Sequence, residues 1–492
     1  MGGLLLYGST YENEKGLGTV LVIDEQEKRL IEVVPSERQR NHQKLEFYGF
    51  LHFTVNTFTD REWGDGTESP SIFCPERFDA DQWANALASS GMKGAILTCK
   101  HHDGFCLWPS KYTDHTVAAS PFRGGKGDVV REVSEALRAH GLKFGIYLSP
   151  WDRHEPCYGK GNEYDDYFVG QLTELLTGYG DIFCVWFDGA CGEGADGRVQ
   201  RYDWDRYYEV IRRLQPDACI SVCGPDVRWC GNEAGDTREQ EWSVVPARLQ
   251  DKEKIKENSQ QSDETEFRQR TLSSSDQDLG SREVLEGETD LVWYPTEVNF
   301  SIRPGWFYHA SEDDQVRSLE NLVSIYDRSV GGNSTMLLNI PPTKEGLIHE
   351  RDAERLRELG AYLRRREAHN LAEDAEMTAT GSQVGYAAAN IRRDDDGCYK
   401  TPDGVRSCEI RLSWKEPVNV SMVVIKEEIR FSQRIETFRI LSVDDGVSRI
   451  LYEGKTVGYR KNAVFEPVMT KEIRLEILKS RVAPVIRFLG VY

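Results

Sequence analysis

The sequence predicts an α/β chain, a (β/α)8-like barrel followed by a C-terminal all-β sandwich domain, and three observations carry that reading. Eight short, mostly apolar runs recur between residues 50 and 341, as expected of parallel strands covered on both faces. Amphipathic stretches with helix-start and helix-stop residues separate many of them. Past residue 366 the texture changes to short alternating runs divided by turns, the pattern of antiparallel sheet. Strands and helices alternating over roughly 250 residues or more favour a closed barrel. The glycine fingerprint of an open dinucleotide-binding sheet is absent from the sequence.

Residues 1–40 read as an N-terminal arm in which GTVLVID (18–24) and RLIEVV (29–34) form a small hairpin. The barrel is read over 41–368, with strands at FLHFTVN (50–56), GAILTCKHH (94–102), KFGIYLS (143–149), IFCVWFDG (182–189), ACISVCG (218–224), EWSVV (241–245), LVWYPTEV (291–298) and TMLLNIP (335–341). Between the second and third, Val129, Val130, Val133 and Leu137 stand at helical spacing behind Asp128 as a cap, and Gly141 ends the helix. Similar helices are expected at 79–90, 163–177, 203–214, 313–329 and 348–366. The polar, aperiodic stretch 248–289 reads as a long, mobile surface excursion. Residues 369–492, with VNVSMVVIKE, IETFRILSV, KEIRLEIL and VIRFLGVY, read as the β-sandwich.

The 492 residues carry 61 Lys and Arg against 81 Asp and Glu, and the net charge of −20 opposes contact with nucleic acid or anionic membrane. No CxxC pair occurs among the eleven cysteines, several of which lie inside apolar runs as small hydrophobes. The first residues have no basic segment, and their apolar run is too short for a signal peptide or membrane span. A soluble protein of the reducing cytoplasm is expected, with no cofactor and no metal; oligomeric state is left open.

In a barrel, groups at the carboxyl ends of the strands converge on one mouth. Asp188 ends the apolar run IFCVWF there, where a mid-core aspartate would need a partner. The same end receives His52, then Lys100, His101, His102 and Asp103, then Tyr147, Trp151 and Asp152. After the fifth strand come Glu233, Arg238 and Glu241. Eight of the eleven tryptophans (Trp63, Trp108, Trp151, Trp186, Trp229, Trp242, Trp293 and Trp306) fall in or beside these segments. Aromatic faces stack on the apolar face of a sugar while His, Asp and Arg bond its hydroxyls, so the mixture suits a carbohydrate better than a phosphate. Asp188 and Glu233 form a candidate carboxylate pair for glycoside cleavage. His52, His101, His102 and Asp188 could alternatively ligate a divalent metal. Adjacent His101 and His102, however, point to opposite faces of a regular strand, so a shared direction needs a bulge. A third reading is a glycan-binding protein without turnover.

LHFTVNTFTDREWGDG, GAILTCKHHDGFCLWPSKYTDHTV, KFGIYLSPWDRH, VWFDGA, GPDVRWCGNEAGDTREQEWSVVP, WYPTEVNFSIRPGWFYH and GGNSTMLLNIPP occur in that order over roughly 48–345. Together they resemble the α-L-fucosidases of glycoside hydrolase family 29, in the branch acting on α-1,3- and α-1,4-linked fucose. The resemblance implies a retaining exo-fucosidase acting on Lewis-type oligosaccharides and glycoconjugates. It implies Asp188 as nucleophile and Glu233 as acid/base, with Glu241 as the rival for that role. His52, Glu62, Trp63, His101, His102, Tyr147 and Trp186 would bind the sugar. The family's C-terminal sandwich, of galactose-binding-like or carbohydrate-binding-like type, matches 369–492.

Overall fold

The structure, a computed structural model, describes residues 25–259 and 277–492. Eight strands form one parallel sheet: β1 (Phe47–Leu51), β2 (Gly94–Lys100), β3 (Lys143–Leu148), β4 (Cys184–Phe187), β5 (Cys219–Val222), β6 (Arg228–Trp229), β9 (Thr296–Ser301) and β10 (Ser334–Asn339). Their spatial order is β5-β4-β3-β2-β1-β10-β9-β6, and the two edges meet through a single bridge, Ser221 to Val227, where Val222 N donates to Val227 O at 3.0 Å. This near-closed barrel bears out the expected fold class. Helices Ala80–Ser89, Val129–Ala139, Asn162–Gly178, Trp204–Leu214, Leu319–Ser329 and Glu350–Arg366 lie close to the predicted segments.

Side-chain alternation divides the barrel into two cores. Phe47, Leu51, Ala95, Leu97, Ile146, Val185, Phe187, Val298 and Phe300 face outward into the layer shared with the helices. Tyr48, Phe50, Ile96, Tyr147, Cys184, Trp186 and Leu337 fill the interior. The inward rhythm carries on past the strand ends, and this places the site.

The sixth and seventh strands differ from the sequence reading. EWSVV supplies β7 (Val244–Pro246), which pairs antiparallel with β8 (Leu291–Trp293) in a separate two-stranded ribbon. The barrel is closed instead by Arg228–Trp229, too short and polar to be read as a strand. LVWYPTEV is likewise divided: its first residues join the ribbon, and after Pro295, which has no amide hydrogen to donate, the chain re-enters the barrel as β9. FLHFTVN is a strand only to Leu51, because the Thr54 side chain caps a helical turn, Val55–Thr59. In the N-terminal arm, GTVLVID lies outside the described residues, and most of RLIEVV is helical rather than extended, within Glu25–Glu32. That helix buries Leu30 against Val244, Leu285, Trp293 and Ile429, and tertiary contact overrides β-propensity there. Of the expected excursion, 260–276 lie outside the described residues; its flanks hold short helices at Lys252–Ser259 and Arg282–Leu285.

The C-terminal part is antiparallel: β11 (Glu376–Ala379), β12 (Tyr399–Lys400), β13 (Cys408–Glu427), β14 (Ile435–Asp444), β15 (Val447–Gly454), β16 (Lys461–Ser480) and β17 (Val485–Val491). The long strands β13 and β16 serve both layers of the sandwich. Residues 408–413 of β13 pair with β11 and the end of β16, whereas 423–427 pair with β17. Register shifts after Ser413 and Val420 mark the change of layer. The sandwich is pinned to the barrel by Glu46, which meets Lys426 at 3.0 Å, Arg460 at 3.4 Å and Lys93 at 3.3 Å. Burial alone would raise the Glu46 carboxyl, but these cations hold it far below the usual carboxylate range.

Candidate active site

Asp188 is the next inward residue after Cys184 and Trp186 on β4, and 21% of its side chain is exposed at the mouth. Its Oδ2 accepts from the Tyr147 hydroxyl at 2.9 Å and its Oδ1 from Ala190 N at 2.8 Å. Burial pushes the carboxyl up, and these two donors pull against that shift, favouring the anion.

His101 and His102 both belong to this site, with ring centroids 4.1 Å apart. The β2–β3 register slips between Thr98 and Lys100. Cys99 and Lys100 therefore both face the helix layer, where Lys100 Nζ meets Asp152 at 2.8 Å and Gln171 at 2.9 Å. The bulge turns His101 inward, and because β2 ends at Lys100 and His102 lies in a turn, regular strand alternation no longer drives the two histidines apart. His102 Nε2 lies 3.6 Å from Asp188 Oδ2, and His101 stacks on Tyr147 at 5.7 Å.

The polar neighbours settle the tautomers. Asn339 donates its Nδ2 to Trp306 O at 2.8 Å and Ser301 Oγ at 2.9 Å, so its Oδ1 accepts from His52 Nδ1 at 2.8 Å. Ser149 Oγ donates to Trp151 O and so accepts from His102 Nδ1 at 2.8 Å. In both rings Nε2 is left as a lone pair, able to accept from a hydroxyl. Burial holds His52 down at about 4 and His102 at about 3, and lowers His101 well below the usual imidazole range.

Aromatic rings wall the space. Trp186 stacks on Tyr147 at 5.3 Å, Trp63 stands edge-on to His102 at 5.6 Å and to Trp151 at 5.4 Å, and Trp306 lies 5.2 Å from His52. Glu233 is half-buried in the loop after β6, its Oε2 accepting from Trp306 Nε1 at 3.0 Å. Glu62 lies behind that tryptophan. Its carboxylate accepts from Trp306 N at 2.9 Å, Phe307 N at 3.1 Å and His309 Nε2 at 2.7 Å. The Glu62 hydrogen bond raises His309 to about 9, and Asp60 holds its other nitrogen at 2.8 Å.

The structure thus gathers Asp188, His52, His101, His102, Tyr147, Trp186 and Trp63 at one mouth, with Glu233 and Glu62 linked to it through Trp306. Other residues read at the mouth lie elsewhere. Asp152 is spent on Lys100, and Asp103 on Thr54 and Phe105 N. Glu241 is buried between Arg228 and Arg238; burial alone would raise it, but the two guanidinium groups hold it below its ordinary value. Trp108, Trp242 and Trp293 pack away from the mouth, donating to Glu174, lying under Arg481 and donating to Gln43 respectively. Among the described residues, no three of His, Cys, Asp and Glu are arranged to hold a metal ion.

Sequence reasoning missed Asn339, Glu297 and Asn299. Asn299 accepts from Trp229 Nε1 at 2.7 Å. The signal was present in TEVNFS, whose polar residues alternate with Val298 and Phe300, but it is visible only when the strand is framed at Thr296–Ser301.

Comparison with known proteins agrees with this architecture. The α-L-fucosidase family model matches residues 33–368. An α-L-fucosidase 1 of Arabidopsis thaliana is 39% identical over 468 residues, 93% of this chain and 87% of that protein. Among solved structures, a glycoside hydrolase family 29 fucosidase of Ruminococcus gnavus in complex with fucose superposes with a TM-score of 0.81 at 30% identity, over 94% of this chain and 95% of that one. A family 29 member from an unknown rumen bacterium gives 0.77 at 36% identity, over 94% and 77%. On the extent of these matches and the architecture described above, the chain belongs to the α-L-fucosidase family of glycoside hydrolases.

Proposed function

We propose that the protein is a retaining exo-α-L-fucosidase that releases α-1,3- and α-1,4-linked fucose from Lewis-type oligosaccharides and glycoconjugates by double displacement. The observation that carries this is Asp188, an oriented carboxylate at the mouth with two donors and an imidazole beside it. Asp188 attacks the anomeric carbon while Glu233 gives its proton to the departing glycosidic oxygen, leaving a fucosyl ester on Asp188. Glu233 then takes a proton from water as that water attacks the same carbon, restoring the carboxylate and retaining the configuration. With the sugar bound, the two carboxyl groups should lie about 5 to 5.5 Å apart.

His52, His101 and His102 accept from or donate to fucose hydroxyls, and Trp63, Tyr147 and Trp186 wall the ring. Glu62 bounds the same subsite through the Trp306 segment. The preference for branched glycans rests on the EWGDG and RWCGNE loops beside the mouth and on the sequence resemblance. A reducing compartment such as the cytoplasm fits the eleven free cysteines, ten of them buried.

The deciding experiment is release of free fucose from Lewis a trisaccharide by the parent and by Asp188→Ala. Release by the parent alone supports both the linkage class and the nucleophile. Release by both overturns Asp188, and binding without release by the parent favours a glycan-binding protein. Glu233→Ala should lose most on poor leaving groups and recover in part with azide.

A further inference from the structure

Below the mouth, Glu297 of β9 is wholly buried in the barrel interior. Its Oε1 accepts from Trp186 Nε1 at 2.7 Å and its Oε2 from the Tyr48 hydroxyl. The Tyr48 oxygen lies 2.9 Å from His42 Nε2 and 3.2 Å from Thr335 Oγ1. Among the described residues, the ionisable groups facing Glu297 are Tyr48 on β1 and Cys184 on β4, with His42 behind Tyr48. None is charged at neutral pH: burial pushes His42 down to about 3, leaving it neutral, and raises Tyr48 and Cys184 well above their usual ranges, so they keep their protons. A core carboxylate without a counter-ion is costly, and a glutamine of the same shape would pack as well.

The use of that charge lies on the other side of the indole. Trp186 stacks on Tyr147, which holds Asp188. We propose that Glu297 is a positioning residue for fucosyl transfer: its carboxylate fixes Trp186 through the indole N–H and directs electron density toward the ring face that floors the mouth. An anion behind the N–H strengthens the negative face of the ring, and a cation over that face is attracted to it. The oxocarbenium-like transition state carries such a charge and the ground-state sugar does not, so the gain falls on the reaction step. The inference rests on the proposed placement of fucose between Asp188 and Trp186. Burial raises the Glu297 carboxyl to about 7, so the charge is complete only on the alkaline side of neutrality.

The test measures kcat/KM from about pH 5 to 9 for the parent, Glu297→Gln, Tyr48→Phe and Asp188→Ala, with the inhibition constant of free fucose as a binding readout. The parent should show a partial step centred near pH 7, higher on the alkaline side. Glu297→Gln should lose the step and lie roughly tenfold below the parent at pH 8, with fucose inhibition unchanged. Tyr48→Phe removes a donor to the carboxylate and should move the step to higher pH. A step that persists in Glu297→Gln overturns the proposal, as does a matching loss of fucose binding, which marks a packing role. Full activity in Asp188→Ala sinks the catalytic reading itself, whereas failure confined to the Glu297→Gln profile sinks only the positioning role.

Discussion

Glu233 and Glu241 sit on the same excursion from the barrel, and their surroundings give them opposite properties. Glu233 is half-buried with an indole N–H as partner, whereas Glu241 is sealed between two arginines. Glu241→Gln should therefore lower stability by about 3–5 kcal/mol, since it leaves buried guanidinium charge uncompensated. Its residual activity should show no azide rescue, and rescue comparable to that of Glu233→Ala would reverse the two assignments. The buried imidazoles set a second expectation. His42, His52, His101, His102 and His115 all have lowered values in the fold, so the unfolded chain binds more protons and stability falls as pH drops below about 6.5. Asp103, Glu297 and Glu427, each raised to about 7 by burial, act in the other sense and lose their contribution as pH rises toward and through 7. Five imidazoles outweigh three carboxyls on the acid side, so the melting temperature should peak at about pH 6.5. A melting temperature rising steadily to pH 9 would contradict this balance.

At the scale of elements, the segment 304–309 works as a clamp. Glu62 holds the backbone of Trp306 and Phe307, His309 carries a positive charge between Glu62 and Asp60, and Trp306 in turn holds Glu233. Glu62→Gln should lower turnover of natural oligosaccharides by roughly tenfold or more, while an activated aryl fucoside, which needs little protonation, should be affected far less. Equal losses on both substrates would mean that the segment does not act through the acid. Because the value of His309 is raised to about 9, the clamp's contribution to stability is complete below about pH 6.5 and is lost as pH rises through 9. Element by element, apolar runs bordered by turns were legible in the sequence, as were caps such as Asp128. What could not be read was pairing. EWSVV has the composition of a barrel strand, yet only the partner strand Leu291–Trp293 decides that it leaves the barrel, and Arg228–Trp229 becomes a strand only because its neighbours need closing. The inward-facing Asp188 and His52 were legible from strand ends; Asn339 and Glu297 were not, because their meaning comes from atoms contributed by other strands.

For the molecule as a whole, barrel and sandwich share their polar interior. Besides the Glu46 cluster, Asn333 donates to Glu241 O at 2.9 Å and accepts from Tyr459 N at 2.7 Å, and Gln433 accepts from Ser243 N at 2.8 Å. Separating the parts would strand these groups, so calorimetry should show one unfolding transition, and two resolved transitions would show that the parts are independent. Arg460→Ala, which takes a guanidinium from between Glu46 and Glu367, should cost about 3 kcal/mol or more across the entire transition.

The seam between β5 and β6 has its own consequence. One bridge joins these edges, the adjoining Val222 holds a left-handed φ of 65°, and the loop bearing Glu233 hangs from the two-residue strand beside it. In the proposed reaction fucose is held from strands β1 to β4, each with a neighbour on both edges, whereas the leaving-group side is suspended from the least committed part of the barrel wall. Descendants of this chain can lengthen, shorten or replace that loop while keeping the sugar-holding half intact, so the architecture lets inherited specificity for fucose coexist with drifting specificity for what fucose is attached to.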